Sequence, residues 1–288
     1  MNSLKFFLWA LGVLPRWFVS VIFETLFFVV YPFLGRLKRI CQQNMRSVYG
    51  QDLTEEKYHQ MTKACLKSIS RGMMDLLYYV RRPGPLLGKT YFSNEVYLKA
   101  ALEKGRGAVV VSAHLGNIPL LFVALVNLGY KVNVIIRPMR DKNFSQFMFG
   151  LCARWGINMI ETVPMRSFLK SSLQALHKKE LLFILLDEVV EDEFACKVDF
   201  FGQQVNRALG PVLFHERSHA PIVPLFIVED ENNRFRICVH KELEDNAIGR
   251  EPGEKAQVIS VVTKIIEKYV TQYPTQWGGW LNKRWTKP

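Results

Sequence analysis

With 288 residues the chain is long enough for one large domain with a sizeable core, and its 49% hydrophobic content excludes a disordered protein. The net charge of +12 favours anionic lipid headgroups or an acidic carrier protein over nucleic acid, because no zinc-ligand spacing, basic heptad region or aromatic RNA-binding motif is present. Five scattered cysteines without a Cys-x-x-Cys pair argue against a disulfide framework and indicate a reducing compartment.

Residues 6–34 are almost wholly apolar and are interrupted only by Arg16 and Glu24. The longest candidate span, residues 17–34, is just long enough for a bilayer, which needs about 20 apolar residues. A signal peptide fits less well because no small-x-small cleavage site follows, and a core helix of a soluble domain is the remaining alternative. We predict that residues 1–38 anchor the chain across a membrane or at its surface.

Basic residues follow this apolar segment directly, at Arg36, Lys38, Arg39 and Arg46. By the positive-inside rule they predict that the rest of the chain, expected to be one domain over residues 39–288, lies on the cytoplasmic face of the membrane. The same side chains suit anionic headgroups, while an ordinary solvated helix face is the plainer interpretation.

Downstream of the anchor, apolar strands alternate with helices. Asp52 or Thr54 is expected to cap a helix that runs towards Tyr79. Strands are predicted at 108–112, 132–136, 181–186, 222–228 and 235–240, the last two as a hairpin. Helices are predicted at 119–128, 144–155, 168–178, 211–217 and 254–273. This alternation predicts an α/β fold with a largely buried mixed sheet flanked by helices.

His114 directly follows the first predicted strand, in the segment Ser112-Ala-His-Leu-Gly-Asn117. Ligands of open α/β sheets bind beyond the carboxyl ends of the strands, and a histidine there can act as a general base. Gly116 permits a tight turn, Asn117 can cap the next helix or hold a ligand oxygen, and Pro119 suits an early helix position. A lone loop histidine is more often structural, so further residues must support a site.

Charged residues also follow two other predicted strands: Arg137 follows the second, and Asp187 with Glu188 follows the third. Their positions at one sheet edge predict a site together with His114. Taken singly, Arg137 could equally form a surface ion pair, and Asp187 could cap a helix or shape a turn.

Several motifs occur in order along nearly the whole chain. They are Arg39-x4-Asn44-Met45-Arg46, Ser112-Ala-His114-Leu-Gly-Asn117, Arg137-Pro138, Arg154, Leu186-Asp187, Asp199-Phe-Phe-Gly202 and Trp280-Leu-Asn-Lys-Arg284-Trp285. Together with the apolar N-terminus, this ordered set resembles the lipid A biosynthesis late-acyltransferase family, within the wider glycerolipid and lysophospholipid acyltransferase group.

The resemblance implies an enzyme that moves a fatty acyl chain from a thioester, on acyl carrier protein or coenzyme A, to a hydroxyl of a lipid A precursor or related glycolipid. His114 would be the general base, and helix N-terminal amides would stabilise the oxyanion. The implied substrate-binding residues are Asn117, Arg137, Arg154, Arg207 and Arg284, with Arg137 and Arg154 on phosphates. No metal or cofactor is implied, and the basic net charge favours the acidic carrier protein as donor.

One position departs from the family pattern. The family hallmark is His-x4-Asp/Glu, in which the carboxylate orients the histidine, and Pro119 occupies the acidic position here. The first candidate to replace that carboxylate is Asp187, followed by Glu188 and then Asp141. Otherwise His114 acts without a carboxylate, or the protein is a catalytically inactive lipid-binding or scaffold protein. A serine hydrolase that uses Ser112 is a poor alternative because no Gly-x-Ser-x-Gly elbow is present.

Overall fold

The computed structural model describes residues 14–139, 141–191, 193–243 and 252–282. The helices are α1 (Arg16–Val30), α2 (Gly35–Tyr49), α3 (Glu55–Tyr79), α4 (Pro83–Lys89), α5 (Glu95–Glu103), α6 (Ile118–Asn127), α7 (Lys142–Arg154), α8 (Met165–His177), α9 (Gly210–Ser218) and α10 (Pro252–Gln272). The start of the predicted anchor, residues 1–13, and the candidate substrate residue Arg284 lie outside the described residues.

In the described part of the chain, nine strands form one large sheet and one separate hairpin. They are β1 (Thr90–Ser93), β2 (Ala108–Ser112), β3 (Val132–Ile136), β4 (Ile157–Glu161), β5 (Leu181–Leu185), β6 (Ala195–Phe200), β7 (Gln203–Ala208), β8 (Ile222–Glu229) and β9 (Phe235–Val239). The large sheet has the order β1-β9-β8-β2-β5-β3-β4, and β6 and β7 form the hairpin. Strands β8, β2, β5, β3 and β4 are parallel, whereas β9 runs antiparallel to β8 and β1 runs parallel to β9.

Helices cover both faces of this sheet, which explains why its central strands are apolar throughout rather than alternating. Every residue of β2 is buried. Val109 and Val111 enter one core, with side chains of α8, α9, α10 and the hairpin, while Val110 enters the other, with side chains of α5, α6 and α7. The predicted fold class, a mixed sheet flanked by helices, is confirmed.

The carboxyl ends of the parallel strands are aligned by their register. Ser112 pairs with Leu185 at the ends of β2 and β5, and Ile136 pairs with Glu161 at the ends of β3 and β4. The segments that follow these four strands therefore share one edge of the sheet, called the carboxyl edge below. His114 lies two residues beyond β2, at this edge.

The N-terminal helix α1 lies antiparallel along α3. Arg16 bonds Asp75 at 3.0 Å, Glu24 pairs with Lys67 at 3.3 Å, and the Lys63 ammonium lies 5.2 Å from the ring centroid of Phe28. Among the described residues, one helical segment, Arg16–Phe33, has the length and hydropathy needed to cross a membrane, and only 11% of it is buried in the protein. Arg16 and Glu24 of α1 therefore contact α3. Most of the apolar surface of α1 is not buried by the described residues.

Sequence reasoning missed several short or mixed elements. β1 has four half-buried residues at the sheet edge, and β4 mixes exposed with buried positions, so neither has a clear apolar period. The hairpin of β6 and β7 was also missed, because its strands are rich in polar residues and pack away from the main sheet. These omissions left β2, β3 and β5, the strands that precede His114, Arg137 and Asp187, correctly placed.

Candidate active site

A hydrogen bond joins the His114 ring to Asp187 across the ends of two neighbouring strands. Nδ1 of His114 lies 2.9 Å from Oδ1 of Asp187. The pairing of β2 with β5 makes this contact possible, because it brings the residues beyond Ser112 and Leu185 side by side. The histidine side chain remains 41% exposed, so its other face is open to a substrate.

Asp187 is held by three donors. Its Oδ1 faces the His114 ring, and its Oδ2 accepts the backbone N–H of His114 at 2.9 Å and Nε1 of Trp277 at 2.8 Å. The carboxylate side chain is 1% exposed. A buried carboxylate with this many donors is fixed in both position and ionisation.

The pKa of His114 is raised and that of Asp187 is lowered, as expected for an ion pair. Burial lowers the pKa of His114, but the charge of Asp187, its hydrogen bond and the charge of Glu188 outweigh burial and raise it to about 9. Burial raises the pKa of Asp187, but the charge of His114 and the bonds from His114 and Trp277 outweigh burial and hold it below its ordinary value. Because an ionised carboxylate only accepts, Nδ1 carries a proton and Nε2 is the basic nitrogen.

The C-terminal segment packs directly on the turn that carries His114. Leu115 forms a bridge with Trp277, Gly278 donates its N–H to the carbonyl of His114 at 2.7 Å, and Gly116 donates to the carbonyl of Gln276 at 2.8 Å. Asn44 of α2 fixes the same segment, since its amide donates to the carbonyls of Trp280 and Asn282. Residues 276–282 thus form one wall of the site.

Gly116 is required by close backbone packing. Its φ is +63°, and a Cβ at this position would lie 2.3 Å from the carbonyl oxygen of Ile227. Any other residue would clash with the backbone of β8. The turn after β2 is therefore fixed on both sides, by β8 and by residues 276–278.

Asn117 is predicted to bind substrate, but both the oxygen and the nitrogen of its side-chain amide form hydrogen bonds within the chain. Its Oδ1 accepts the N–H of Leu120 as the cap of α6, and its Nδ2 donates to the carbonyl of Gly72 in α3 at 2.7 Å. Asn117 therefore holds α3 against the His114 turn. Its geometry supports positioning of the turn rather than direct contact with substrate.

Arg137 lies at the carboxyl edge, as predicted, and holds the segment after Asp187. Its Nη2 donates to the carbonyl of Val189 at 3.0 Å, and its Nε lies 3.8 Å from Glu188. The Arg137 side chain is still 40% exposed, so the guanidinium can also receive an anion from solvent. Glu188 is similarly exposed and contacts Arg137, whereas the carboxylate that bonds the His114 ring is that of Asp187.

Arg154, by contrast, is displaced from the site by topology. It ends α7, the helix that returns the chain from the end of β3 to the start of β4. In a parallel crossover the helix ends at the amino edge of the sheet, opposite to His114. Arg154 therefore lies at a distance from His114, which the sequence did not reveal because β4 was not recognised, and its contact with substrate phosphates stays a prediction.

Two other candidate catalytic residues, Asp141 and Ser112, occupy positions that do not suit the roles considered for them. Asp141 caps α7 by accepting the N–H of Phe144 at 2.8 Å, which makes it a poor substitute for the missing family carboxylate. Ser112 is fully buried as the last residue of β2. A nucleophile must reach its substrate, so the hydrolase alternative has no support from this geometry.

A family model of bacterial lipid A biosynthesis acyltransferases matches residues 4–287. The chain belongs to this family. In a comparison with curated proteins, no match was found. The family supports acyl transfer as the reaction, with an acyl donor and a lipid acceptor.

In this lipid A acyltransferase family member, Pro119 occupies an early position of α6, where its fixed φ suits the first helical turn. It offers no carboxylate to the histidine. The acid that contacts His114 comes instead from the end of β5, 73 residues further along the chain.

Arg207 of the acyltransferase is fully buried on β7, and its guanidinium lies 4.7 Å from the ring centroid of Phe200. None of its three side-chain nitrogens has a hydrogen-bond partner among the described residues. Burial lowers its pKa to about 10, against the opposing effect of the Asp187 charge, so the group is still protonated at neutral pH. A buried cation without a hydrogen bond is costly, and an anionic group would offset that cost.

Trp277 is a residue of the candidate site that sequence reasoning missed. The terminal motif that pointed to the family begins three residues later, at Trp280. Only the return of the C-terminal segment across the end of β2 brings the Trp277 indole to Asp187, and no local pattern signals that contact. Within the described ranges, no cluster of three or more histidine, cysteine or acidic side chains is arranged to hold a metal ion.

Proposed function

We propose that this family member transfers a fatty acyl chain from a thioester donor to a hydroxyl of a lipid A precursor or related glycolipid, with His114 as general base and Asp187 as its carboxylate. The observation that carries the proposal is the 2.9 Å contact between His114 Nδ1 and Asp187 Oδ1 at the carboxyl edge of the sheet. The acceptor, the donor and the catalytic role of each residue are the parts that require experiment.

In the proposed reaction, Nε2 of His114 removes the proton from the acceptor hydroxyl as its oxygen attacks the thioester carbon. A carbon–oxygen bond forms, the carbon–sulfur bond breaks, and the imidazolium returns the proton to the leaving thiolate. Asp187 stabilises the imidazolium and holds the ring in the tautomer with the proton on Nδ1.

Backbone amides near His114 support stabilisation of the oxyanion. The N–H groups of His114, Leu115 and Gly116 all donate within the protein. In the described turn, those of Asn117 and Ile118 have no such acceptor and stand at the N-terminus of α6, where amides and helix dipole favour negative charge. We assign the oxyanion to these two amides.

Two arginines are proposed to bind anionic groups of the substrates. Arg137 is partly exposed at the carboxyl edge, whereas Arg207 is buried next to the Phe200 ring, and its side-chain nitrogens have no hydrogen-bond partner in the described part of the chain. Guanidinium matches phosphate oxygens in a bidentate way, and both substrates of such a reaction carry phosphate. Arg284 stays a prediction from the resemblance alone.

Acyl carrier protein is the donor that the charge of the chain favours. The net charge of +12 suits an acidic protein better than a small thioester, because a protein surface presents many negative charges at once. The salt dependence of the transfer rate distinguishes acyl carrier protein from acyl-coenzyme A as the donor. Transfer from the carrier protein should fall steeply as ionic strength rises, and transfer from acyl-coenzyme A should fall less.

We further propose that α1 anchors the protein within the cytoplasmic face of the inner membrane without crossing it. Lys63, Lys67 and Arg71 of α3 lie beside α1, so a spanning α1 would take these cations into the hydrocarbon. Each would cost about 2.5–3.5 kcal/mol there. An interfacial helix avoids this cost and still buries its apolar face. Residues 1–38 then form the anchor and residues 39–288 the acyltransferase domain.

The test is lipid analysis of a strain that lacks the protein, complemented by wild type or by His114→Ala. We expect the deletion to lack one acyl chain on a glycolipid, wild type to restore it, and His114→Ala to lower the purified rate roughly 10²–10⁴-fold. Full complementation by His114→Ala would overturn the catalytic proposal. That result would favour the second candidate, an inactive lipid-binding scaffold, for which the substitution by Pro119 is the supporting observation.

A further inference from the structure

Four large apolar side chains are exposed on the segments that follow β3 and β4. Phe144, Phe147, Val163 and Met165 are between 45% and 61% exposed. The first two lie in the opening turns of α7 and the other two flank the start of α8. Exposed apolar side chains that cluster on one part of a surface indicate an interaction site rather than ordinary surface composition.

These residues share the carboxyl edge with His114. α7 and α8 begin where β3 and β4 end, and those two strands pair in register. Ser145 bonds Glu161 at 3.4 Å, which joins the start of α7 to the end of β4. The four side chains therefore lie on neighbouring segments at the carboxyl edge, and together they are called the edge patch below.

Basic side chains accompany the edge patch. Arg137, Lys142 and Arg166 are exposed on the same segments. Asp141 and Glu161, the acids closest in sequence, are engaged in capping α7 and in the bond to Ser145. Apolar side chains next to exposed cations are the combination that inserts into a bilayer with anionic headgroups.

A second apolar surface borders the dyad from the other side. Met73 and Ile69 of α3 are exposed next to Gly72, whose carbonyl accepts the bond from Asn117. The helix α1, with its own exposed apolar face, packs along α3. The His114 turn thus lies between two apolar surfaces, one formed by α1 and α3 and the other by the edge patch.

We infer that the edge patch is a second membrane-contact surface, which inserts into an anionic bilayer and holds the carboxyl edge of the sheet against the lipid. A single interfacial helix leaves the domain free to rotate about it, whereas two contacts fix which edge faces the bilayer. An acceptor and an acyl chain could then reach His114 without leaving the lipid phase. This inference uses the proposed lipid substrate, but the contact itself does not depend on the reaction.

The contact is tested directly by photocrosslinking. The full-length protein is prepared with benzoyl-phenylalanine in place of Phe147 or, as control, of Tyr97, and bound to vesicles of phosphatidylethanolamine and phosphatidylglycerol. Tyr97 is an exposed aromatic residue of α5, which begins at the amino edge because β1 runs antiparallel to β2. We expect lipid adducts, detected by mass spectrometry, at position 147 and not at 97. Equal lipid adducts at both positions, or none at 147, would overturn the inference.

The functional consequence is tested with a matched pair of valines. Val163 is 61% exposed in the edge patch, and Val96 is 64% exposed at the opposite edge. Val163→Asp should lower acyl transfer in anionic vesicles about tenfold, because an acidic group replaces an inserted apolar one, and Val96→Asp should not. In detergent micelles, which surround the protein from every side, the two variants should have equal rates.

The two assays separate this inference from the proposed function. If wild type has no activity in either medium, the proposed function fails, while the lipid adducts at position 147 still test the contact. Equal vesicle rates for Val163→Asp and Val96→Asp would exclude the edge patch as a functional contact. Adducts at 147 with a second copy of the chain rather than with lipid would also overturn it, in favour of a contact between copies.

Discussion

Trp277 donates its indole N–H to the same Asp187 oxygen that accepts the backbone N–H of His114, at 2.8 and 2.9 Å. These two bonds orient the carboxylate so that its other oxygen, Oδ1, points at the His114 ring. Trp277 thus sets the orientation of Asp187 at the end of β5, and Asp187 in turn sets the orientation of His114, the proposed base.

Trp277→Phe tests this relationship. The variant keeps the ring but loses a donor to a charged acceptor, a bond worth about 1.5–3 kcal/mol, so we expect the transfer rate to fall about tenfold. Trp280→Phe is the matched control, because Trp280 is equally buried and donates to the carbonyl of Pro274 instead. Purified variants are compared by initial rate and by thermal unfolding. Equal losses of rate would mean that packing of the segment, rather than the bond to Asp187, is what matters.

The pH dependence of the rate follows from the raised pKa of His114. The base must be neutral to accept a proton, so the rate should rise with pH and level off near the pKa of about 9. The same pair stabilises the fold below the ordinary histidine pKa of about 6.5, and this contribution is lost as pH rises through the folded value. A rate profile from pH 6 to 10, at saturating substrate, measures the first effect, and a flat profile would exclude His114 as the base.

Asp187→Asn should change both the maximum rate and the pH range over which the rate rises. The charge that raises the pKa of His114 is removed while burial, which lowers it, remains, so the rising part of the profile moves to lower pH. The maximum rate should fall roughly 10²–10⁴-fold. Glu188→Gln serves as control, since Glu188 raises the pKa of His114 less than Asp187 does, and we expect only a small shift. A larger effect of Glu188→Gln would identify Glu188 as the carboxylate that supports the base.

Arg207→Met distinguishes an anion-binding arginine from a structural one. Because the buried guanidinium makes no hydrogen bond within the described residues, an apolar side chain of similar volume should leave thermal stability unchanged or higher. The KM for a phosphate-bearing substrate should rise at least about tenfold, the effect of losing one charge-assisted contact. Inorganic phosphate should raise the melting temperature of wild type and not of the variant. A variant that is much less stable but keeps its KM would show that Arg207 only supports the core.

The proposed interfacial position of α1 predicts that both of its ends are accessible from one side of the membrane. Pro15→Cys and Gly35→Cys place thiols at exposed positions that flank α1. In inverted inner-membrane vesicles a membrane-impermeant maleimide should label both, over the background of wild type, whose described cysteines are buried or half-buried. Labelling of position 15 only from the periplasmic side would show that α1 crosses the bilayer.

Sequence alone predicted the buried strands because apolar runs such as Val109 to Val111 can occur only where both sheet faces are covered. It also predicted Asp187 beside His114, since both follow buried strands. The place of Arg154 could not be predicted while β4, with its mixed polarity, was unrecognised. The bond from Trp277 was equally inaccessible, because it depends on a contact between residues 90 positions apart that no local pattern specifies.

Asn44 donates hydrogen bonds to the carbonyls of Trp280 and Asn282, and this contact has a consequence for synthesis of the protein. During translation the histidine and its aspartate emerge long before Trp277 does. A nascent chain still lacking residues 276–282 therefore has both members of the dyad but not the wall that orients them. On the proposed mechanism, catalytic competence would then arise only after residues 276–282 have been synthesised, when α1 has long been available to the membrane.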